Sequence, residues 1–115
     1  MATTYTDLYA NIGADTVFLL SLADDNDVTV DLTGYTVRAK FARHHSSSTK
    51  YEFLAEVAPP ATAGVITLRL FSADTDIIKP GRYQYDVETV YDNNGQITVE
   101  RVAEGVLYLE PSITK

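Results

Sequence analysis

The sequence predicts an all-β protein, a sandwich of about seven to eight antiparallel strands with one short helical turn. Apolar residues recur at every second position along most of the chain, as they do in strands with one buried and one exposed face. Residues that favour turns separate these runs at the spacing of a sandwich. The chain has 115 residues, of which 45% are hydrophobic, so residues 1–115 are expected to form a single domain.

The first predicted strands are the least regular. Residues 1–10 are expected to provide an edge strand or a docking arm, because the strand signal at residues 5–9 is weak. Residues 16–22 are apolar on both faces, which predicts a central strand or one whose outer face is covered by a partner. A turn at residues 31–34 leads into residues 35–42. The inward positions of that strand are Tyr35, Val37, Ala39 and Phe41.

The middle of the chain is predicted to hold two further strands and a helical turn. Residues 51–57 and 66–70 alternate, and a proline-containing loop joins them. The serine-rich residues 43–49 are expected to form the tip of a hairpin. Residues 72–78 predict a single helical turn, which the capping residue Ser72 begins.

The C-terminal third is predicted to contain the longest strand, at residues 82–91, and a hairpin. Asn94-Gly95 tolerates the positive φ angles of a tight hairpin turn. The strand pattern continues over residues 96–102 and 106–109, and a bulge or a change of sheet is expected at Glu104-Gly105 between them.

A Gly-x-Tyr motif begins the longest predicted strand. In immunoglobulin-type sandwiches a tyrosine at this place forms a tyrosine corner, in which its hydroxyl bonds to the backbone a few residues upstream. Tyr83, which follows Gly81, is the expected corner residue. Tyr85 is expected to point inward at the position where antibody domains carry a disulfide cysteine. The alternative is that both tyrosines are simply core aromatics.

Five strand segments follow one another in a recognisable order, at residues 15–20, 30–39, 64–70, 80–87 and 104–109. In this order they resemble the immunoglobulin-like domains of tailed-bacteriophage virion proteins, and are similar to the N-terminal domain of phage baseplate upper proteins. The Asp31-Leu32-Thr33-Gly34-Tyr35 segment and the Gly81-x-Tyr83-x-Tyr85-Asp86 segment carry most of the resemblance.

The resemblance implies an immunoglobulin-like β-sandwich and a non-enzymatic structural or adaptor subunit in the tail, baseplate or neck of a phage particle. The partners it implies are other virion proteins and further copies of this chain in a symmetric assembly. It also implies that the protein is located in the virion after synthesis in the host cytoplasm.

Two segments near the N terminus are the expected assembly surfaces. Residues 16–22, with Val17 and Leu19, are the predicted interface strand, and Tyr5 and Tyr9 mark the docking segment. The alternative function is a receptor- or carbohydrate-binding module, since exposed tyrosines stack well on sugars. That module would use the loops at residues 24–27, 44–49 and 92–95.

The sequence has no motif that indicates an enzyme. It lacks a Gly-x-Ser-x-Gly elbow, a His-Glu-x-x-His helix, a P-loop and any cysteine. His44 and His45 lie in a polar tip, where we expect them to be solvated unless several copies share an ion at a symmetry axis. Asp24, Asp25 and Asp27 predict a solvated turn, because the glycine and glutamate of a calcium loop are missing. We therefore expect no enzymatic activity, cofactor or bound metal.

The charge distribution disfavours nucleic acid and membrane partners. The formal net charge is −7, and residues 1–37 hold six aspartates with no Lys or Arg. The N terminus also lacks the positive residues of a secretory signal. The longest apolar run, residues 17–20, is too short to span a bilayer. The sequence therefore predicts a soluble protein with no signal peptide.

Overall fold

The computed structural model describes residues 3–111 and 113, which form nine strands in two sheets with a hydrophobic core between them. The predicted all-β sandwich is confirmed. The strands are β1 Thr4–Tyr5, β2 Leu8–Asn11, β3 Thr16–Ser21, β4 Tyr35–Ala42, β5 Tyr51–Glu52, β6 Leu54–Val57, β7 Val65–Leu70, β8 Gly81–Asn93 and β9 Gln96–Glu110. A 3-10 turn spans Ala61–Ala63 and a short helix, α1, spans Ser72–Thr75.

The larger sheet has six strands in the order β1-β9-β8-β4-β5, and β2 also pairs with β9. The prediction that all strands are antiparallel is wrong for β1 and β2, which run parallel to β9. Leu8 is level with Leu107 in that pairing. Residues 4–11 therefore form edge strands of the chain's own sheet, while Met1 and Ala2 lie outside the described residues. Local alternation shows where a strand is, but it does not show its direction.

The smaller sheet has the order β3-β7-β6, and it corrects two predictions. β3 is an edge strand, so of the two alternatives predicted for residues 16–22 the central strand is wrong. Residues 51–57 are two strands in different sheets, because β5 pairs with β4 whereas β6 pairs with β7. The crossing lies at Phe53, whose N–H still donates to the Ala39 carbonyl of the larger sheet over 3.1 Å.

The β8–β9 hairpin dominates the larger sheet. Its Asn94-Gly95 turn is confirmed, with φ angles of 54° and 93°. The longest strand is β9 with 15 residues, and not β8 with 13 as the sequence predicted. β9 also continues through Glu104-Gly105, so the break expected there is wrong. The register instead shifts opposite Val87 and Glu88.

The helical turn is shorter than the predicted residues 72–78 and is capped differently. Phe71 is the residue before the first helical position, and its side chain caps nothing. The N–H of Ser72 donates to Asp15 Oδ1 over 2.8 Å. The helix start is thus stabilised by a carboxylate far away in the sequence, which local capping rules do not reveal.

The centre of the core is aromatic. The Phe41 ring lies 5.0 Å from the Phe53 ring and 5.6 Å from the Tyr83 ring, measured between centroids. The Phe53 ring also meets Phe18 edge-on at 6.3 Å and Tyr85 at 6.1 Å. These contacts join strands of both sheets, so ring packing holds the layers together in a chain without cysteine.

Candidate functional site

The tyrosine corner is a structural site at the start of β8. The Tyr83 hydroxyl donates to the Lys79 carbonyl over 2.6 Å, and the ring is 2% exposed. Arg43 lies across the ring with Cζ 4.3 Å from the centroid, and its Nη2 donates to the Pro80 carbonyl over 3.1 Å. A Cβ at Gly81 would come within 2.6 Å of Arg43 Nη1. Gly81 therefore leaves room for the guanidinium that covers the corner.

Tyr85 joins the N-terminal segment to the centre of the sheet. Its hydroxyl donates to the Thr6 carbonyl over 2.7 Å. Burial raises the pKa of Tyr85 to about 12, and the nearby Asp7 charge adds to the increase. Burial also raises the pKa of Tyr83, against the opposing charge of Arg43. Both phenols stay protonated at neutral pH, which suits anchoring hydrogen bonds.

The predicted docking tyrosines lie on β1 and β2, at the edge of the larger sheet, and their side chains are exposed. Tyr5 is 74% exposed and Tyr9 is 62% exposed. The Tyr9 ring stacks on Tyr108 of β9, with centroids 4.9 Å apart and planes inclined by 12°. The backbone of this segment is already paired with β9. That pairing occupies one edge of the segment, so docking here would use the exposed side chains or the other edge of a strand that is already in place.

The predicted interface strand, β3, presents apolar side chains on the outside of the smaller sheet. Val17 is 49% exposed and Leu19 is 68% exposed, while Leu20 packs inward. Leu54, 45% exposed, lies two strands away in the same cross-strand row as Val17. Within the described residues, β3 pairs only with β7, so its other edge has no strand partner.

A second exposed surface, which the sequence pattern did not single out, lies at the far end of the β8–β9 hairpin. Ile97 is 62% exposed and Val99 is 44% exposed. β4 begins at Tyr35, opposite Tyr91, so the hairpin projects beyond its neighbouring strand. The apolar alternation of residues 96–102 was visible in the sequence. Which of these residues are covered depends on the difference in length between the hairpin and β4, and that difference is a tertiary property.

The three loops of the recognition hypothesis do not form one surface. β4 runs from Tyr35, level with Tyr91, to Ala42, level with Gln84. The turn at residues 92–95 and the loop at residues 43–50 therefore lie at opposite ends of the larger sheet. His44 and His45, which belong to the loop at residues 43–50, line an open cleft of about 230 Å³.

The acidic loop uses its carboxylates to hold its own turns. Asp24 Oδ1 accepts from the N–H groups of Asn26 and Val28 over 2.8 and 3.0 Å. Asp31 Oδ1 accepts from the hydroxyl and N–H of Thr33, and these hydrogen bonds lower the pKa of Asp31. Across residues 3–111 and 113, no group of three or more His, Cys, Asp or Glu is placed to hold a metal ion.

The middle of the large sheet's outer face is charged. Arg38 pairs with Glu88 over 2.7 Å, and Arg101 bridges Asp86 and Glu104 over 3.5 and 3.1 Å. Partly exposed pairs of this kind add little stability. They do, however, make this central region polar and separate the Tyr9 stack from the Ile97 end.

None of the described helices has the length and apolar character needed to cross a membrane.

Comparisons with known proteins identify no family. Neither a protein-family model nor a curated protein matches the chain. Among solved structures, the chain is similar to AggA, the major subunit of aggregative adherence fimbriae type I from Escherichia coli. The sequence identity is 11%, the alignment covers 92% of this chain and 89% of that chain, and the TM-score is 0.39. A likeness this weak carries no conclusion about function.

Proposed function

We propose that this protein is a non-enzymatic structural or adaptor subunit of a bacteriophage particle, in its tail, baseplate or neck. It acts through protein–protein interfaces with other virion proteins and further copies of itself. The phage-specific part of the proposal rests on the sequence resemblance in the segments around Tyr35 and Tyr83.

The observation that carries the assembly role is the outer side of β3. Two large aliphatic side chains, Val17 and Leu19, point outward from a strand with one unpaired edge among the described residues. Such edges are sites where another chain adds a strand or packs a face, and proteins without a partner usually protect them with charge or proline. The segment 16–21 contains neither a charged residue nor proline.

The competing hypothesis is a receptor- or carbohydrate-binding module. It loses support because two of its loops, residues 44–49 and 92–95, lie at opposite ends of the larger sheet. A glycan array and a host-cell binding assay test it directly. Saturable binding to host surfaces, together with absence from particles, would favour the module over the subunit.

The first experiment locates the protein. Phage particles purified from the source should contain it by mass spectrometry, and gold-labelled antibody should mark a fixed place such as the tail tip or neck. Purified particles that lack the protein would refute the proposal.

The second experiment tests β3 as the interface. The Val17→Asp/Leu19→Asp variant should remain folded, because both side chains are largely exposed, yet its incorporation into particles should fall at least about tenfold. Ile113→Asp is the matched control, since Ile113 is 101% exposed and lies away from β3 in the sequence. Equal incorporation of both folded variants would exclude β3 as the assembly surface.

A further inference from the structure

Among the described residues, the outer edge of β9 has no strand partner at the start of the strand. On that side β1 begins to pair only at Thr4, level with Ala103. Within residues 3–111 and 113, residues 96–100 therefore pair with β8 alone. This stretch contains no proline or lysine, and its only charge is Glu100 at the end. Natural sheets usually protect an edge of this length and composition against pairing.

The hairpin turn determines which backbone groups point outward from this edge. Asn94 and Gly95 have positive φ, as in a two-residue type I′ turn, so Asn93 and Gln96 form the hydrogen-bonded pair that closes it. Hydrogen-bonded and non-hydrogen-bonded pairs alternate along an antiparallel ladder. Ile97 and Val99 therefore point both their N–H and C=O groups away from β8.

We propose that this edge pairs with the same edge of a second copy of the chain, antiparallel and centred on Thr98. In that register Ile97 lies opposite Val99 of the second copy, and Val99 lies opposite its Ile97. Each of these residues has its N–H and C=O directed at the partner strand. All four outward backbone groups of each copy are thereby satisfied across one two-fold axis.

The side chains are self-complementary in the same register. On the outer face, Val90 of β8 is level with Val99, so Val90, Ile97 and Val99 of both copies form one continuous apolar patch. Glu100 faces Gln96 of the second copy, so no two like charges lie opposite each other. A register shifted by one residue would instead place each strand's outer side chains opposite inner ones.

This edge of β9 is distinct from β3, which carries the proposed assembly role. The test of one surface can therefore fail while the test of the other succeeds. The five paired residues bury less area than a standard interface, and the free dimer is expected to be weak. In a particle, a neighbouring copy held in a fixed position would raise the effective concentration of the partner edge and so favour the pairing.

The register can be tested by cross-linking, because the chain has no cysteine. Thr98→Cys places two thiols at a non-hydrogen-bonded pair on the axis, where Cα atoms approach to about 4.5 Å and a disulfide fits. We expect Thr98→Cys to form disulfide dimers at least about tenfold faster than Gln96→Cys or Glu100→Cys, whose thiols lie far apart across the axis. Equal rates for the three variants would overturn the register.

The association itself is tested by sedimentation at concentrations up to about 1 mM, as a small interface requires. The wild-type mass should rise from 12.7 kDa towards twice that value. Ile97→Lys/Val99→Lys should stay monomeric, while the control Val17→Lys/Leu19→Lys should dimerise like the wild type. A wild type that remains at 12.7 kDa throughout overturns the proposal, and so does a dimer that the lysines at 97 and 99 leave intact.

Discussion

Two hydroxyl groups on the inner face of β8 are buried alike but bonded differently. The Tyr83 hydroxyl donates to the Lys79 carbonyl, whereas Thr89 Oγ1 has no partner. Among the residues that the structure describes, Thr89 Oγ1 is the one buried side-chain polar atom in that condition. A buried hydroxyl without a hydrogen bond loses its hydration without compensation.

Removing the bonded hydroxyl should therefore lower stability, whereas removing the unbonded one should not. Tyr83→Phe should lower the free energy of unfolding by about 1 to 2 kcal/mol, because it leaves the Lys79 carbonyl without its donor. Thr89→Val, the matched control, should be neutral or raise it by up to about 1 kcal/mol. Urea denaturation measures both. An unchanged midpoint for Tyr83→Phe would count against the corner as a stabilising contact.

At the scale of elements, β9 organises the larger sheet. It pairs with β8 along one edge and with β1 and β2 along the other. Gly105 lies where the N-terminal segment comes closest, and a Cβ there would overlap the Thr6 carbonyl oxygen. The same carbonyl accepts the Tyr85 hydrogen bond. A glycine at this point is what lets the N-terminal strands lie against β9.

Gly105→Ala should therefore displace the N-terminal strands. We expect a loss of about 1 to 3 kcal/mol, as for other overpacked sites, with faster amide hydrogen exchange in β1 and β2. Gly34→Ala is the comparison, since a Cβ at Gly34 meets nothing within 4 Å and only its φ of 82° is unfavourable. That variant should leave exchange in β1 and β2 unchanged. Normal protection of these strands in Gly105→Ala would show that the backbone adjusts.

At the scale of the whole molecule, the buried phenols couple stability to alkaline pH. The pKa of Tyr85 is about 12 in the folded protein against 10.0 for a free side chain, so the folded state binds this proton more tightly. Its contribution is fully present below pH 10 and is lost as the pH rises through 12. The pKa of Tyr83 is raised too, so the contribution of Tyr83 to stability also falls as the pH rises.

The free energy of unfolding should thus fall between pH 10 and 12. A shift of about two pKa units corresponds to at most about 3 kcal/mol, and solvent screening reduces the expected Tyr85 share to about 1 to 2 kcal/mol. Tyr85→Phe should be less stable at pH 8 but lose less between pH 10 and 12. Tyr9→Phe, at an exposed ring, should follow the wild type. Denaturant midpoints at pH 8, 10, 11 and 12 measure this, and parallel curves for wild type and Tyr85→Phe would contradict it.

Much of the fold was predictable because its signals are local. Alternation over residues 35–42 and 82–91 reflects the two-residue repeat of a half-buried strand. The Asn94-Gly95 turn follows from the positive φ angles that these two residues accept. The Gly-x-Tyr motif likewise located Tyr83 before its partner was known. Each of these signals depends on bonded neighbours alone, so the sequence contains it in full.

The remaining features depend on contacts between distant segments. The parallel pairing of β2 with β9, the crossing at Phe53 and the edge position of β3 all follow from which distant segments pair with each other. A strand pattern shows which side chains are apolar, but it does not show which strand ends first. The sequence by itself thus determined a sandwich and marked Tyr83 as the candidate for its corner. Only the tertiary structure decided that β3 lies at a sheet edge and that Ile97, an apolar residue like those in the core, is exposed where β9 has no other strand partner among the described residues.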